Sequence, residues 1–302
     1  MTMLGRRLVL SDQAVGVLFI VPFVLTALFF MVYPIAEAVR MAFYSYNPLR
    51  PDRSFFVGLA NFEYIFADPL FWSSFWQATI WTGFSILFQT VLGVLIALLL
   101  HQPLAGIAVF RGLLLFPYIV PTVVIALIWR WIFNPEIGVV NYALLSSGVI
   151  SEPIYWLSTP TMAMASTIML NVWKYTPFVV ICVLARLQSV PLELYDAAKV
   201  DGAGVIRRFF DVTLPQLKEV LIVVVVFRTI WTFNKFEEIY LLTKGGPGTS
   251  TFNLAVYSFE QSIANLKLGV GAATGVIMML MLSVGSVIYL RSAGFAREDS
   301  RT

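Results

Sequence analysis

Crossing roughly 30 Å of hydrocarbon takes about 20 consecutive apolar residues in a helix, and this chain supplies runs of that length repeatedly. Six can be marked off: Ala14–Val39, Phe75–Leu100, Leu113–Phe133, Met162–Leu184, Val220–Leu242 and Leu268–Leu290. A chain so patterned is expected to fold as an all-α polytopic membrane protein with six transmembrane helices, a single transmembrane domain over residues 1–302. Composition speaks against a soluble domain: 59% of residues are hydrophobic, 12% are charged, and mean hydropathy is +0.83, whereas soluble domains carry about a quarter charged residues. The fifth run is the least clean, because "FNKFEEIYLL" places Asn234, Lys235, Glu237 and Glu238 in its second half. Residues of that kind are poor candidates to face lipid.

The residue inventory narrows the chemistry. There is one cysteine, Cys182, inside an apolar run, and one histidine, His101, at the end of another. That leaves no disulfide framework and no metal constellation, nor is there the cluster of nucleophile and base that a membrane enzyme needs. The net charge of +3 comes from bases dispersed along loops that flank the spans, not from a nucleic-acid-binding patch. Arg6 and Arg7 ahead of the first run raise the question of a signal peptide. The run is longer than a usual signal core and no small-x-small cleavage site closes it, so it is read as a retained first span.

An even number of spans puts both termini on one side. If that side is the cytoplasm, it holds more Lys and Arg than the other, including Arg6, Arg7, Arg207, Arg208, Arg297 and Arg301, as the positive-inside rule requires. Pro22, Pro34, Pro117, Pro121 and Pro177 fall in or at the ends of spans, where they kink helices and free carbonyls that need partners inside the protein or in a wet cavity. On the outer side, Asp68 followed by Pro69 reads as a helix cap and first residue. The aromatics Phe71, Trp72, Phe75 and Trp76 suit an interfacial belt, and hence a membrane-surface helix. "LTKGGPG", Leu242–Gly248, reads as a tight turn.

Between the fourth and fifth runs lies "LYDAAKVDGAGVIRRFF", Leu194–Phe210, a polar hinge in a greasy chain. Pro191 suits the first turn of a helix and Glu193 complements its dipole, so a short helix over Pro191–Val200 is expected. Gly202 can take the positive φ of a C-terminal cap, and Gly204 allows a second change of direction. A second short helix is expected over Val205–Asp211, before Pro215 forces an extended residue. Leu194, Ala197 and Ala198 share a face of little bulk, flanked by Asp196 and Asp201. On physics alone this hinge suits either a lipid-headgroup surface, with Arg207 and Arg208 on phosphates, or docking into another protein's groove.

"DAAKVDGAGVIRRFFDVTLP", Asp196–Pro215, resembles the EAA motif of bacterial ABC import permeases: Glu-Ala-Ala, three residues, Gly, nine residues, Ile, any residue, Leu-Pro. Asp196, Ala197, Ala198, Gly202, Val212, Leu214 and Pro215 fill those places, with Asp for Glu and Val for Ile. "VGLANFEYIFADPLFW", "LFPYIVPTVVIALIWRWIFNPEIGVVN", "VWKYTPFVVICVLARLQSVP" and "FNKFEEIYLLTKGGP" are similar to the binding-protein-dependent carbohydrate permeases of the MalF and UgpA type. The resemblance implies the type I importer (MetI-like) fold in the bacterial cytoplasmic membrane, with both termini cytoplasmic. It also implies a second homologous permease in a heterodimer, two ATPase subunits that carry ATP and Mg, and an extracytoplasmic solute-binding protein. This chain itself would bind no cofactor. Glu193, Asp196, Ala197, Ala198, Asp201, Gly202, Leu214 and Pro215, within a loop over 191–217, would form the coupling segment that docks on the ATPase.

Matched residue by residue to the maltose permease, "VWKYTP" and "RTIWTFNKFEE" point to a substrate pathway. Its residues would be Lys174, Tyr175 and Phe178 on the fourth span, with Arg228, Trp231, Thr232, Asn234 and Glu237 on the fifth. Aromatic faces with a few converging polar groups suit a sugar ring. The charges depart from the mostly uncharged maltose site. Two readings stand: an anionic or strongly polar substrate, or an internal ion pair of Glu237 with Arg228 or Lys174. The alternatives in other classes are a transporter or channel driven by an ion gradient, and a membrane enzyme.

Overall fold

The computed structural model describes residues 11–103 and 106–293. The terminal bases Arg6, Arg7, Arg297 and Arg301 lie outside the described residues. The chain opens with α1 (Asp12–Ala27), which runs through a π-turn (Leu28–Val32) into α2 (Tyr33–Ala42). A two-residue strand pair, Tyr44–Ser45 against Phe55–Phe56, then leads to α3 (Ala60–Ala67). The longest helix, α4 (Pro69–Leu100), has 32 residues and so reaches roughly 48 Å at 1.5 Å per residue, which exceeds the hydrocarbon thickness. It starts where the sequence indicates: the Asp68 carboxylate accepts the Leu70 N–H at 2.9 Å, and Pro69 takes the first position. Asp68 also accepts from the Tyr257 hydroxyl at 2.8 Å. Of the four expected belt aromatics, Trp72 and Trp76 face outward, but Phe71 is buried in the core beside Tyr257.

The third run departs from expectation. It is broken into α5 (Ile107–Leu114), α6 (Phe116–Ile119) and α7 (Thr122–Ile132), with a 95° bend between Ile107–Ile119 and Thr122–Ile132. The cause is local: Pro121 keeps Val120 extended at ψ 133°, the conformation a following proline enforces. Next come α8 (Val139–Ser146) and α9 (Pro160–Gln188), which continues through Pro177. The hinge holds α10 (Leu192–Val200) and α11 (Val205–Arg208). The fifth run is also shifted, because α12 (Leu214–Phe233) starts earlier and stops earlier. A break at Asn234 precedes α13 (Glu237–Thr243), followed by α14 (Leu254–Phe259) and α15 (Leu268–Ser292).

Among the described residues four helical stretches are long and apolar enough to cross a membrane, five if the bent pair is one span. The one expected crossing not among these, the fifth, falls on α12, whose helix includes Lys218, Glu219 and Arg228. Thr213 and Leu214 are helical (ψ −54° and −41°), not extended as expected ahead of Pro215. A π-turn, Phe209–Thr213, lies just before that proline, as another does before Pro34. The wider turn relieves the clash of the proline ring with the carbonyl four residues back.

The bundle is built on α4 and α9, with α12 against both. Gly93 sets the closest approach: a Cβ there would lie 2.6 Å from Val179 Cγ1. Small residues at such crossings let helices pack without a hydrophobic driving force from water. By contrast, the stretch Gly16–Ala42 has 0% of its most apolar window buried against the rest of the chain.

Candidate functional site

At membrane depth, four helices bring polar side chains together. On α9, Asn171, Lys174, Tyr175 and Phe178 recur at intervals of three or four and therefore share a face. Arg228 and Thr232 lie one turn apart on α12. Gln89 enters from α4, and Glu238 from the first turn of α13. Gln89, Asn171 and Thr232 are fully buried, while Arg228 and Glu238 are 1% exposed and Lys174 4%.

These groups form a continuous circuit. Arg228 Nε donates to Gln89 Oε1 at 3.0 Å, and its Nη2 to Thr232 Oγ1 at 3.2 Å. Gln89 Nε2 donates to Asn171 Oδ1 at 2.7 Å. The Asn171 amide and the Tyr175 hydroxyl then donate to the two oxygens of Glu238. The Arg228 guanidinium closes the circuit 4.2 Å from the centre of the Tyr175 ring. Lys174 Nζ donates to the Val120 carbonyl at 2.6 Å, so the break in the third span exposes a carbonyl and a lysine of α9 satisfies it. Polar groups so deep in a bilayer are costly unless each finds a partner, and here the partners come from four different helices.

An aromatic wall adjoins the circuit. Phe178 stacks on Tyr118 at 6.3 Å and meets Trp231 at 5.7 Å, and Phe227 lies 6.0 Å beyond Trp231. Unlike the polar circuit the wall is open: Trp231 is 44% and Tyr118 38% exposed.

Of the pathway residues expected from sequence, Lys174, Tyr175, Phe178, Arg228, Trp231 and Thr232 converge here. Asn234 does not; it is exposed and donates to the Ile230 carbonyl at the end of α12. Glu237 is exposed and makes no ion pair among the described residues, so the expected pairing with Arg228 or Lys174 is absent. One residue along a helix turns the side chain by about 100°, and it is Glu238 that points inward. Sequence reasoning also missed Gln89, Asn171, Lys235 and Tyr118. A lone amide inside an apolar run was the available signal for the first two.

The hinge has the opposite character. The carbonyls at the end of α10 are capped by Ala203 N–H to Ala198 O at 2.9 Å and Gly202 N–H to Lys199 O at 3.0 Å. Gly202 stands at φ +75°, the left-handed cap that favours glycine. Leu192, Val200, Val205 and Ile206 are 71–88% exposed. Leu194 and Ala197 are exposed too, with Ala198 half-buried. Glu193 and Asp201 face outward, and Asp196 pairs at 2.8 Å with Lys199 of its own helix. Elsewhere, an apolar groove of about 1040 Å³ runs between α4, α9 and the bent pair, lined by Phe84, Phe88, Trp129, Met169 and Trp173. No member of the polar circuit lines it.

Comparison with known proteins bears on both regions. The profile of the family described as "Binding-protein-dependent transport system inner membrane component" matches residues 89–294. The chain is 37% identical over 286 residues to the sulfoquinovosyl glycerol transport system permease protein SmoG of Agrobacterium fabrum, covering 95% of this chain and 92% of the relative. It is 34% identical over 296 residues to the trehalose/maltose transport system permease protein MalF of Thermococcus litoralis, covering 98% and 99%. In fold it is similar to a chain of the bacterial alginate ABC transporter solved in complex with an alginate pentasaccharide-bound periplasmic protein. The TM-score is 0.81 at 22% identity, over 94% of this chain and 95% of the other.

Proposed function

The chain belongs to the family of binding-protein-dependent transport system inner membrane components, and from that membership we propose that it is one permease of an ATP-driven importer for a carbohydrate or carbohydrate derivative. It is a multi-pass membrane transport subunit and not an enzyme. The sugar assignment is supported by the two relatives, both named for glycoside transport, and by the half-exposed wall of Tyr118, Phe178 and Trp231. Aromatic faces beside a few polar groups suit a sugar ring.

The observation that carries the coupling role is α10 itself, a helix closed by Gly202 with Leu192, Leu194 and Ala197 turned outward. In this reading Glu193, Asp196, Ala197, Ala198, Asp201 and Gly202 present the docking face. Leu214 and Pro215 join it to α12 and so to Arg228 and Trp231. ATP binding on two partner subunits, which hold the nucleotide and Mg, closes them. The docked helices carry that rigid-body motion into the spans, turning the pathway from inward to outward access.

A second homologous permease completes the pathway. It would cover the apolar stretch Gly16–Ala42, which this chain leaves unburied. The distribution of Lys and Arg along the sequence supports a reading in which both termini and the hinge lie on the cytoplasmic side of a bacterial inner membrane. An extracytoplasmic binding protein delivers the solute to the opposite face.

The test is reconstitution of the chain with its second permease, ATPase and binding protein in proteoliposomes. Uptake of labelled sugars should require ATP inside and the binding protein outside. Uptake that survives without ATP and follows an imposed proton or sodium gradient would overturn the assignment in favour of a secondary transporter.

A further inference from the structure

Three cations surround the ring of Tyr175: Arg228 at 4.2 Å, Lys235 at 5.1 Å and Lys174 at 5.6 Å from its centre. Buried charges ordinarily have a countercharge, yet none of these three makes an ion pair among the described residues. The ion pairs among the described residues are Glu37–Arg40, Asp196–Lys199 and Arg207–Asp211, all elsewhere. Glu238 accepts from neutral donors, Asn171 and Tyr175. Even with the exposed Glu237 counted, three cations face two carboxylates, and a positive surplus remains.

The three cations are not equivalent. Arg228 and Lys174 are sealed and hydrogen-bonded to neutral acceptors, Gln89, Thr232 and the Val120 carbonyl. Lys235 follows the last turn of α12, is only half-buried, and among the described residues its ammonium has no hydrogen bond or ion pair and rests against the Tyr175 ring. The ring it rests on is shared by both regions: the Tyr175 hydroxyl belongs to the closed circuit and its ring meets Tyr118 of the open aromatic wall at 6.0 Å, with Arg228 and Lys174 as two further positive charges around it.

Resting on the reading of that wall as a sugar-facing surface, we propose that the solute is an anionic carbohydrate, a sugar bearing a carboxylate or sulfonate, and that Lys235 engages its negative group. A neutral sugar gains nothing from the surplus and would have to desolvate the ammonium. An anion compensates it, in surroundings where charge interactions are stronger than in water. Discrimination then comes from cost as well as attraction, since the unmatched cations penalise the neutral competitor.

The experiment is equilibrium binding to the assembled importer in lipid nanodiscs, without the binding protein. The probes are glucuronate and 6-deoxy-6-sulfoglucose, each against glucose. The acids should bind more tightly, with the gap narrowing as salt rises. Lys235→Gln should weaken binding of the acids by about tenfold, the scale of a charged hydrogen bond, and should not weaken glucose, which no longer has to desolvate the ammonium, while Lys235→Arg retains the preference. Equal affinity for acid and neutral sugar, equal loss of both in Lys235→Gln, or no binding of either acid overturns the inference. ATP-dependent uptake of neutral sugars with no preference for acids would sink this inference while leaving the importer reading intact. Absence of ATP-dependent uptake of any sugar would sink the importer reading itself.

Discussion

The circuit around Tyr175 and the hinge around α10 both interrupt an apolar chain with charged residues, and they are built in opposite ways. In the circuit, Gln89, Asn171, Arg228, Thr232 and Glu238 are buried and bonded to one another across four helices. In the hinge, Asp196, Lys199, Arg207 and Asp211 bond only within a turn of their own helix, while Val200, Val205 and Ile206 stay exposed. The difference separates two uses of polarity in a membrane chain. Groups tied across helices fix how those helices sit. Groups tied only locally leave a face that takes no part in the chain's own core. If this contrast holds, damage to the circuit should cost stability, and damage to the hinge should cost communication.

The largest effect is expected from Glu238→Ala. It removes the acceptor of the Asn171 amide and the Tyr175 hydroxyl and takes a negative charge from among three cations. Removing one partner from a buried charged network costs about 3–5 kcal/mol. Thermal unfolding of the purified assembly in nanodiscs should show a marked fall in midpoint, or the assembly should fail to form. An unchanged midpoint would mean that the circuit does not hold the four helices together.

Next is Gly93→Val, one turn of α4 beyond Gln89. The new Cβ would stand 2.6 Å from Val179 Cγ1, and overpacking of this kind costs roughly 1–3 kcal/mol. Val179→Gly in the same chain removes both the Cγ1 and the Cβ that the new atom would meet at 2.6 and 2.7 Å and should recover part of the loss, which separates a steric effect at the α4–α9 crossing from a general helix defect. Failure of that rescue would place the damage elsewhere.

How much of this was legible without coordinates depends on the interaction concerned. Helices α4, α9 and α15 were visible as long apolar runs, because hydrophobicity alone dictates that a helix crosses lipid. The break at Val120 was less visible: apolarity continues through Pro121, and hydropathy carries no information about direction, although the proline was a signal. Lys174 and Arg228 stood out as charges in spans. Gln89 and Asn171 did not, because an amide's partner is decided by how helices pack. Matching to the maltose permease points to Glu237, whereas Glu238 is the buried one; the helix breaks at Asn234, and helical register beyond a break is not written in local sequence. At the hinge, Gly202 was readable in advance because a left-handed cap is a local demand on one residue.

That local demand supplies the first test of the open region. Gly202→Ala forces a Cβ into φ +75°, a strain of about 1–2 kcal/mol, but nothing lies within 4 Å of the added atom. The midpoint of unfolding should move little, since the hinge contributes little to the core. ATP hydrolysis stimulated by the binding protein should fall several-fold as α10 changes its exit angle. Loss of both stability and stimulation in equal measure would erase the distinction between the two regions.

The smallest structural effect and the sharpest discrimination are expected from Asp196→Asn. The Asp196–Lys199 pair is a single-turn contact with side chains 67% and 56% exposed, and such pairs are worth roughly 0–1 kcal/mol. Thermal unfolding should therefore stay near that of the parent. The carboxylate matters differently if α10 docks on a basic partner surface, because a charge-assisted bond then loses its charge. Stimulated ATP hydrolysis and uptake should drop, and the weakened association should be salt-sensitive. Lys199→Ala provides the control: it removes the same intrahelical pair but leaves the carboxylate free, so it should retain coupling or strengthen it. If the two variants behave alike, the pair serves only α10, and the outward face of the hinge needs another explanation. If they diverge, Asp196 belongs to an interface with another subunit, in contrast to Glu238, whose partners are all within this chain.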